Sequence, residues 1–476
     1  MSPKKIDPRK VVSGIFTDAK EEASDDGGKR MSSLLGDSGQ NPGFFRNRGS
    51  KESAAKKRQN PIEKGLPQFF NGLWQNEFGA IDLGNDSIKF ILLSFDGRKI
   101  RVKDVQIEKI LPISGHEDIQ AEREKEIMDG LLRIAARTRP KTCVSISLND
   151  PSLYIDSINV PTVSEKECRE LVQKTLAEKR LIDMDASFFD YSEVDGEGLA
   201  DTRNLLVIAA PKDLVYREYE MVRNAGFRVF GVETNVLATL QALSQVTKWA
   251  QGEQILILDI GYRFTDLSIV LGERITFSRT IPIAGERFTR AIQERLGCAF
   301  DDAEILKVKY GLSELPRKTS LSEESQEIKS SEAETADSAD KTQGPFEALE
   351  PDPQKNLSEA EQVSVAVVTE VEKLLAEIER SFQFAVTRES RSQGIQIDNI
   401  FLMGGGARLL RLKDALRARW GIPVREVNFW DGFAINEKRL DREFLSEVND
   451  LVPVSLGLAL RIKEWKVLPF GWGMPG

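Results

Sequence analysis

The chain has 476 residues, 40% hydrophobic and 30% charged, with a formal net charge of -9. That length is too great for one simple core and points to two or more domains, and the acidic balance gives no reason to expect a nucleic-acid partner. Three scattered cysteines, Cys143, Cys168 and Cys298, lack any CxxC spacing, which argues against a zinc site or a disulfide framework and fits a reducing compartment.

Residues 1–66 are rich in Lys, Arg, Ser, Gly and Asn and show no sustained periodicity. Such a stretch cannot bury enough apolar surface to offset its ordering entropy, so it is predicted to be a disordered tail without a signal-peptide core. The aromatic stretch "PQFFNGLWQNEF" is read as a helix docking on the folded body rather than as a membrane-surface anchor. No apolar run approaches the ~18–20 residues that span a bilayer, so no direct membrane span is expected and the cytoplasm is the default location.

The stretch "FGAIDLGNDSIKFILLS" raises the first chemical question. A strand ends in Asp82-x-Gly84, turns through small polar residues and resumes as a second strand. Further on, "ILILDIGYRFTDLSIVLGERITF" repeats the pattern, Asp259 matching Asp82, Gly261 matching Gly84 and "LGER" falling near "FDGR". An internal duplication of a β-meander explains both, and implies two similar domains facing each other. A Gly-containing turn lets successive N–H groups converge on an anion. A carboxylate at the strand end can hold a hydrated Mg²⁺ together with phosphate oxygens. Two such turns closing from opposite sides would clamp a polyphosphate, with Lys89 adding positive charge.

Between and after these turns, strands alternate with helices. "TCVSISL", "NLLVIAAP" and "NIFLMGGG" are short β-rich runs, whereas "VAVVTEVEKLLAEIERSFQFAV" places Val371, Leu374, Leu375, Ile378 and Phe382 on one helix face. The fold class is therefore α/β. The single histidine, His116, sits in a loop-like stretch with no evident nucleophile partner, which argues against Ser-His and Cys-His chemistry. The acidic, Ser-rich tract at 315–356 is predicted to be a disordered surface loop. In "IDNIFLMGGGARLLRLKDALRARWGIPV" a strand runs into Gly404, Gly405 and Gly406 and then into an amphipathic helix, a junction at which a flat ligand can lie against the backbone. Two stretches, "AGFRVFGVETNVLATLQAL" and "DLVPVSLGLALRIKEW", mix small residues with apolar ones, as closely crossing helices require.

In order, these segments resemble the actin, sugar kinase and heat-shock chaperone ATPase superfamily: phosphate-1 hairpin, connecting helix, phosphate-2 hairpin, adenosine motif, second connecting helix. Within it the chain looks most like the type IV pilus assembly protein PilM family, related to the division protein FtsA. "VPTVSEKECRELVQKTLAEK" resembles the start of the small subdomain inserted in those proteins. The resemblance implies an actin-like (ribonuclease H-like duplicated) two-domain fold: a first domain over 67–249 with a small inserted α+β subdomain at about 150–212, a second over 250–450, and a connecting helix and tail at 451–476.

The resemblance further implies ATP with Mg²⁺ between the domains. Asp82, Gly84, Asn85, Asp86, Ser87 and Lys89 would form the first phosphate loop and Asp259, Gly261 and Thr265 the second, with Asp82 and Asp259 meeting the metal through water. Gly404, Gly405, Gly406 and Ala407 would border the adenosine, Glu304 and Lys307 would reach the ribose or base, and Glu233 stands where the chaperones carry a catalytic Glu. Departures are Tyr262, Arg263 and Phe264, which make the second turn bulky, and Arg411, which stands where a small residue is usual. Nucleotide binding rather than efficient turnover is the expectation. The family's partner is the short cytoplasmic peptide of the inner-membrane protein PilN, alongside other pilus platform proteins, making this a scaffold held peripherally at the inner membrane. The alternatives are an FtsA-like cell-division protein and a small-molecule (sugar) kinase.

Overall fold

A computed structural model describes residues 77–110, 119–178, 182–193, 202–250, 252–272, 274–312, 357–388 and 396–460. The tail 1–66, the aromatic stretch up to residue 76, His116, the tract 315–356 and residues 461–476 lie outside them.

The described chain opens with an antiparallel meander of β1 (Glu77–Leu83), β2 (Ser87–Phe95) and β3 (Ile100–Lys109). Helix α1 (Ile119–Arg137) leads to β4 (Cys143–Leu148), which pairs parallel with β1. All six residues of β4 are buried, the signature of a strand covered on both faces. Next come β5 (Tyr154–Pro161), α2 (Glu165–Glu178), β6 (Ser187–Glu193) and β7 (Thr202–Pro211), whose strands make a separate sheet in the order β5-β7-β6. Cys168, Val172 and Leu176 of α2 cover that sheet against Ile158, Leu205 and Val207. Helix α2 begins with a capping box: Ser164 N–H and Oγ both donate to Glu167 Oε2, at 3.0 and 2.6 Å.

The chain returns through α3 (Lys212–Asn224) to β8 (Arg228–Thr234), parallel to β4, and then α4 (Asn235–Val246). A second antiparallel meander follows, β9 (Gln254–Ile260), β10 (Thr265–Leu271) and β11 (Arg274–Ile281), then α5 (Gly285–Leu296) and α6 (Phe300–Tyr310). Helix α7 (Glu359–Arg388) starts with another Ser-x-x-Glu box, Ser358 with Glu361. Strand β12 (Asn399–Met403) runs parallel to β9, followed by a 3₁₀ turn at Gly405–Arg408, α8 (Leu412–Trp420), β13 (Val424–Arg425), β14 (Ala434–Ile435), α9 (Arg442–Val448) and α10 (Pro453–Ala459).

The two large sheets have the orders β14-β3-β2-β1-β4-β8 and β11-β10-β9-β12-β13. Helices α1 and α3 cover one face of the first sheet through Ile127, Leu131, Leu214 and Val222 against Ile88, Phe90 and Ile146. Its other face shares a core with α4, α10 and the second sheet, where Ala80 and Leu93 join Ala242, Leu456, Leu458, Ile257 and Phe401. On the far side of the second sheet, Val371, Leu374, Leu375 and Ile378 of α7 are buried with Phe288 and Ile292 of α5. Sheets and helices therefore alternate, with α4 and α10 in the middle layer. Each fully buried Leu or Phe there contributes roughly 2–3 kcal/mol.

The small residues predicted for close helix crossing do meet. A Cβ added to Gly457 of α10 would fall 1.8 Å from the carbonyl oxygen of Ala238 in α4. Two features tie distant parts together. Strand β14, although it follows the second sheet, pairs parallel with β3 on the edge of the first. In addition, Ser157 Oγ on β5 donates to the carbonyl of Ile275 on β11, at 3.2 Å.

One junction differs from expectation. The glycine run does not pass straight into a helix: the 3₁₀ turn intervenes, and Arg411 takes φ +65 before α8 begins. A side chain in that left-handed region costs on the order of 1 kcal/mol through its Cβ, which explains physically why a glycine suits the position.

Candidate functional site

In both sheets the parallel strands bring their carboxyl ends together, the place where ligands of open α/β sheets are received. In the first sheet, Asp82 ends β1, Ser147 lies at the end of β4, and Glu233 is its partner on β8. Asp82 is buried: Oδ1 accepts from Ser147 Oγ at 3.0 Å, and Oδ2 lies 3.2 Å from Lys89 Nζ. Glu233 is also buried, and Thr234 and Asn235 carry β8 directly into α4.

The duplicated hairpins share a register. Asp82 is opposite Lys89 in the first, and Asp259 is opposite Asp266 in the second. Each pair is seven residues apart in sequence, so the same strand position carries a cation in one copy and an acid in the other. Asp266 was not among the sequence-derived candidates. The equal offset from Asp82 to Lys89 and from Asp259 to Asp266 is the signal that could have found it. Its Oδ1 accepts from Thr280 Oγ1 at 2.7 Å, and the Asn235 side chain also bonds it.

Like charges directly opposite on a sheet repel, and the site shows the consequence. Burial pushes Asp259 up to about 7, with the charges of Asp266 and Asp82 adding to the effect and Lys89 opposing it. Asp259 keeps some exposure to the cleft, yet its carboxyl is surrounded by enough protein for desolvation to dominate. Asp266 is pushed up to about 6 by burial, against the hydrogen bonds from Thr280 and Asn235. Thus Asp82, from the first sheet, acts electrostatically on Asp259 and Asp266 of the second: the two acidic bends face one another.

Loop residues 84–87 and 261–264 close the hairpins. Asn85 accepts from Arg123 of α1, and Asp86 lies 3.6 Å from Lys109. In the second loop Gly261 N–H donates to the Phe264 carbonyl, and Gly285 and Glu286 at the start of α5 donate to the carbonyls of Gly261 and Tyr262. Thr265 is fully buried and bonded to the carbonyl of Ile283. Lys307 Nζ donates to Glu304 Oε2 at 2.7 Å, to Thr289 Oγ1 at 3.0 Å and to the carbonyl of Gly285 at 3.3 Å, so Glu304 and Lys307 stand behind the second loop as a bonded pair.

The glycine turn packs onto that same loop. A Cβ on Gly404 would lie 2.4 Å from Asp259 Oδ1 and from the Ile260 carbonyl, in a residue with φ +88. Gly406 is closed off similarly by Ile260 and Gly261, whereas Gly405 has only an ordinary contact with Leu451, and Ala407 N–H returns to the Gly404 carbonyl. Gly404→Ala is therefore expected to displace Asp259 and to destabilise the fold by roughly 2 kcal/mol or more, read as a lower denaturant midpoint.

Among the described residues, no group of three or more His, Cys, Asp or Glu side chains is arranged to hold a metal by itself. Hard carboxylate oxygens from two facing bends nevertheless fit Mg²⁺ completed by phosphate oxygens and water. The buried Thr234 Oγ1 and Asn235 Oδ1, without hydrogen-bond partners in the protein, add polar atoms beside them. No described helix is long and apolar enough to cross a membrane.

A family model described as type IV pilus assembly protein PilM matches residues 80–322, just over half of the chain. The chain belongs to that family. A model for the cell division protein FtsA also matches, over residues 256–430. Among solved structures, the PilM-PilN type IV pilus biogenesis complex aligns with 82% of this chain and 99% of its own, at 23% identity and a TM-score of 0.62. That likeness shows a common fold, and with it the PilM-like chain is an actin-like α/β protein. Curated relatives are FtsA of Enterococcus faecalis (strain ATCC 700802 / V583), 27% identical over 164 residues, and FtsA of Enterococcus hirae, 28% identical over 192. Those matches cover 32% and 38% of this chain, and 36% and 41% of the relatives.

Proposed function

We propose that this chain is an ATP-binding scaffold of a type IV pilus, or related secretion, assembly platform at the inner membrane. Nucleotide with Mg²⁺ would lie between two actin-like halves, about 67–249 and 250–450. The observation that carries this reading is the apposition of Asp82 and Asp259: two hairpins from different sheets bring acids within electrostatic reach, with a Gly-bearing loop beside each. Asp82 and Asp259 would hold the metal's waters, Lys89 would offset phosphate charge, and the turn from Gly404 to Ala407 would border the adenosine. Bound nucleotide would supply the phosphate oxygens that such a metal requires.

Membership of the PilM family supports the partner reading. A PilN-like membrane protein would dock an extended cytoplasmic peptide beside the small β5-β7-β6 sheet, near the exposed Tyr216 of α3, whose ring lies against Phe188 of β6. Ligand that favours one relative placement of the halves would then bias partner affinity. The scaffold reading needs no rapid turnover, and the bulky Tyr262, Arg263 and Phe264 are consistent with a slow enzyme.

Calorimetry with Mg-ATP tests the nucleotide site. Asp82→Ala is expected to weaken binding at least tenfold while the circular dichroism spectrum is retained, since a carboxylate that would hold the metal's waters is removed. Equal affinity in a folded variant would eliminate the proposed metal role. Pull-down with a PilN-like cytoplasmic peptide, with and without ATP, tests the partner. The FtsA match over 256–430 favours a second reading, a polymerising division protein. Nucleotide-dependent filaments without peptide capture would select it.

A further inference from the structure

Two arginines beside the phosphate-type loops have no ligand-binding role assigned so far. Arg123 extends from α1, and its Nη2 donates to Asn85 Oδ1 at 2.6 Å and reaches the Asn85 carbonyl at 3.4 Å. Arg263 belongs to the second loop. Its Nε meets Glu286 Oε2 at 3.2 Å, and the Glu286 N–H is itself tied to the Tyr262 carbonyl at 2.7 Å. One guanidinium is thus fastened to each phosphate-type loop, from elements of opposite halves.

Each guanidinium is held on its own loop, and Arg263 lies near enough to Arg123 to act on it electrostatically. Burial and then the charge of Arg263 pull Arg123 below the ordinary arginine value, with Glu218, Glu286 and Tyr262 acting the other way. A half-buried arginine within electrostatic reach of a second cation is less favourable until an anion joins them. Guanidinium is the side chain whose fork matches phosphate oxygens in two directions at once. The neighbouring acids do not supply that anion fully: Glu286 is shared with Arg263 and Arg290, and Glu218 lies beside Arg217.

We propose that Arg123 and Arg263 form a two-sided clamp for the terminal phosphate of a bound nucleoside triphosphate, and so make the site discriminate triphosphate from diphosphate. The proposal rests on the nucleotide reading above and adds to it the chemical group that is sensed. The loops and their carboxylates hold what both nucleotides share, whereas the arginines meet what only the triphosphate carries. With a diphosphate, Arg123 keeps its bond to Asn85 and the two guanidiniums stay unbridged.

The test is isothermal calorimetry of the full chain with Mg-ATP and Mg-ADP, for wild type, Arg123→Gln, Arg123→Lys and Arg263→Gln, with thermal melting as the check on folding. Arg123→Gln is expected to lower ATP affinity about tenfold, the size of one charge-assisted hydrogen bond, while ADP affinity stays within about twofold. Arg123→Lys should recover part of the loss, and Arg263→Gln should act in the same direction as Arg123→Gln. If Arg123→Gln does not fold, Arg263→Gln, on a half-buried loop, carries the same comparison. An unchanged ATP-to-ADP affinity ratio, including equal weakening of both, would reduce Arg123 to a brace for the first loop and overturn the clamp alone. Wild-type protein that binds neither nucleotide would instead overturn the site reading, and the clamp with it.

Discussion

Gly457→Ala is expected to cost about 3 kcal/mol or more of folding stability, even though alanine is the better helix former. By intrinsic propensity the exchange should gain up to about 1 kcal/mol. The added methyl, however, would sit 1.8 Å from the Ala238 carbonyl oxygen, an atom of helix backbone that cannot rotate away. The helices must separate, and the core they share with both sheets opens with them. Chemical denaturation monitored by circular dichroism reads the loss directly. Ala238→Gly should not rescue it, because the clash is with backbone and not with the alanine side chain. A Gly457→Ala protein with an unshifted midpoint would show that α4 and α10 are free to move apart.

Asp259→Asn is the second large effect, and its sign depends on pH. The folded protein holds Asp259 near 7, above the ordinary value of 3.8, so between those values the native state binds more protons than the unfolded chain. Stability contributed by this group is complete below about pH 4 and is lost as pH rises toward and through 7. Asp266, held near 6, adds to the same trend. Without nucleotide, the wild type should therefore lose on the order of 4 kcal/mol or more between pH 4 and 8. Asparagine removes the buried charge, so Asp259→Asn should be more stable than wild type at pH 8 and should show a flatter profile. The same substitution should weaken Mg-ATP binding at least tenfold at pH 8, because a facing carboxylate is gone. Parallel stability profiles for the two proteins would refute the electrostatic account of the cleft.

How much of this was legible depends on how local each feature is. The two meanders could be read because an Asp-x-Gly turn between apolar runs is encoded within about twenty residues, and it occurs twice. The buried face of α7 was equally plain, since helix periodicity lines up Val371, Leu374, Leu375 and Ile378. Ser147 was not legible as an Asp82 partner, because only the parallel pairing of β1 with β4 brings together residues 65 apart. Arg123 was hidden for the same reason, lying 38 residues from the Asn85 it bonds. The glycine run was read as space for a ligand, but much of that bareness accommodates the end of β9: Gly404 and Gly406 lie against Asp259, Ile260 and Gly261. Composition shows that backbone comes close at such a place; it does not show what approaches.

Strand β14 and helix α10 come from the last fifth of the described chain, yet one completes the edge of the first sheet and the other fills its inner face. The earlier-made sheet thus leaves the ribosome with part of its hydrophobic underside uncovered and waits for residues some 350 positions later to complete it. A nascent chain stalled before Pro453 would expose that surface, making it a natural client for holdase chaperones.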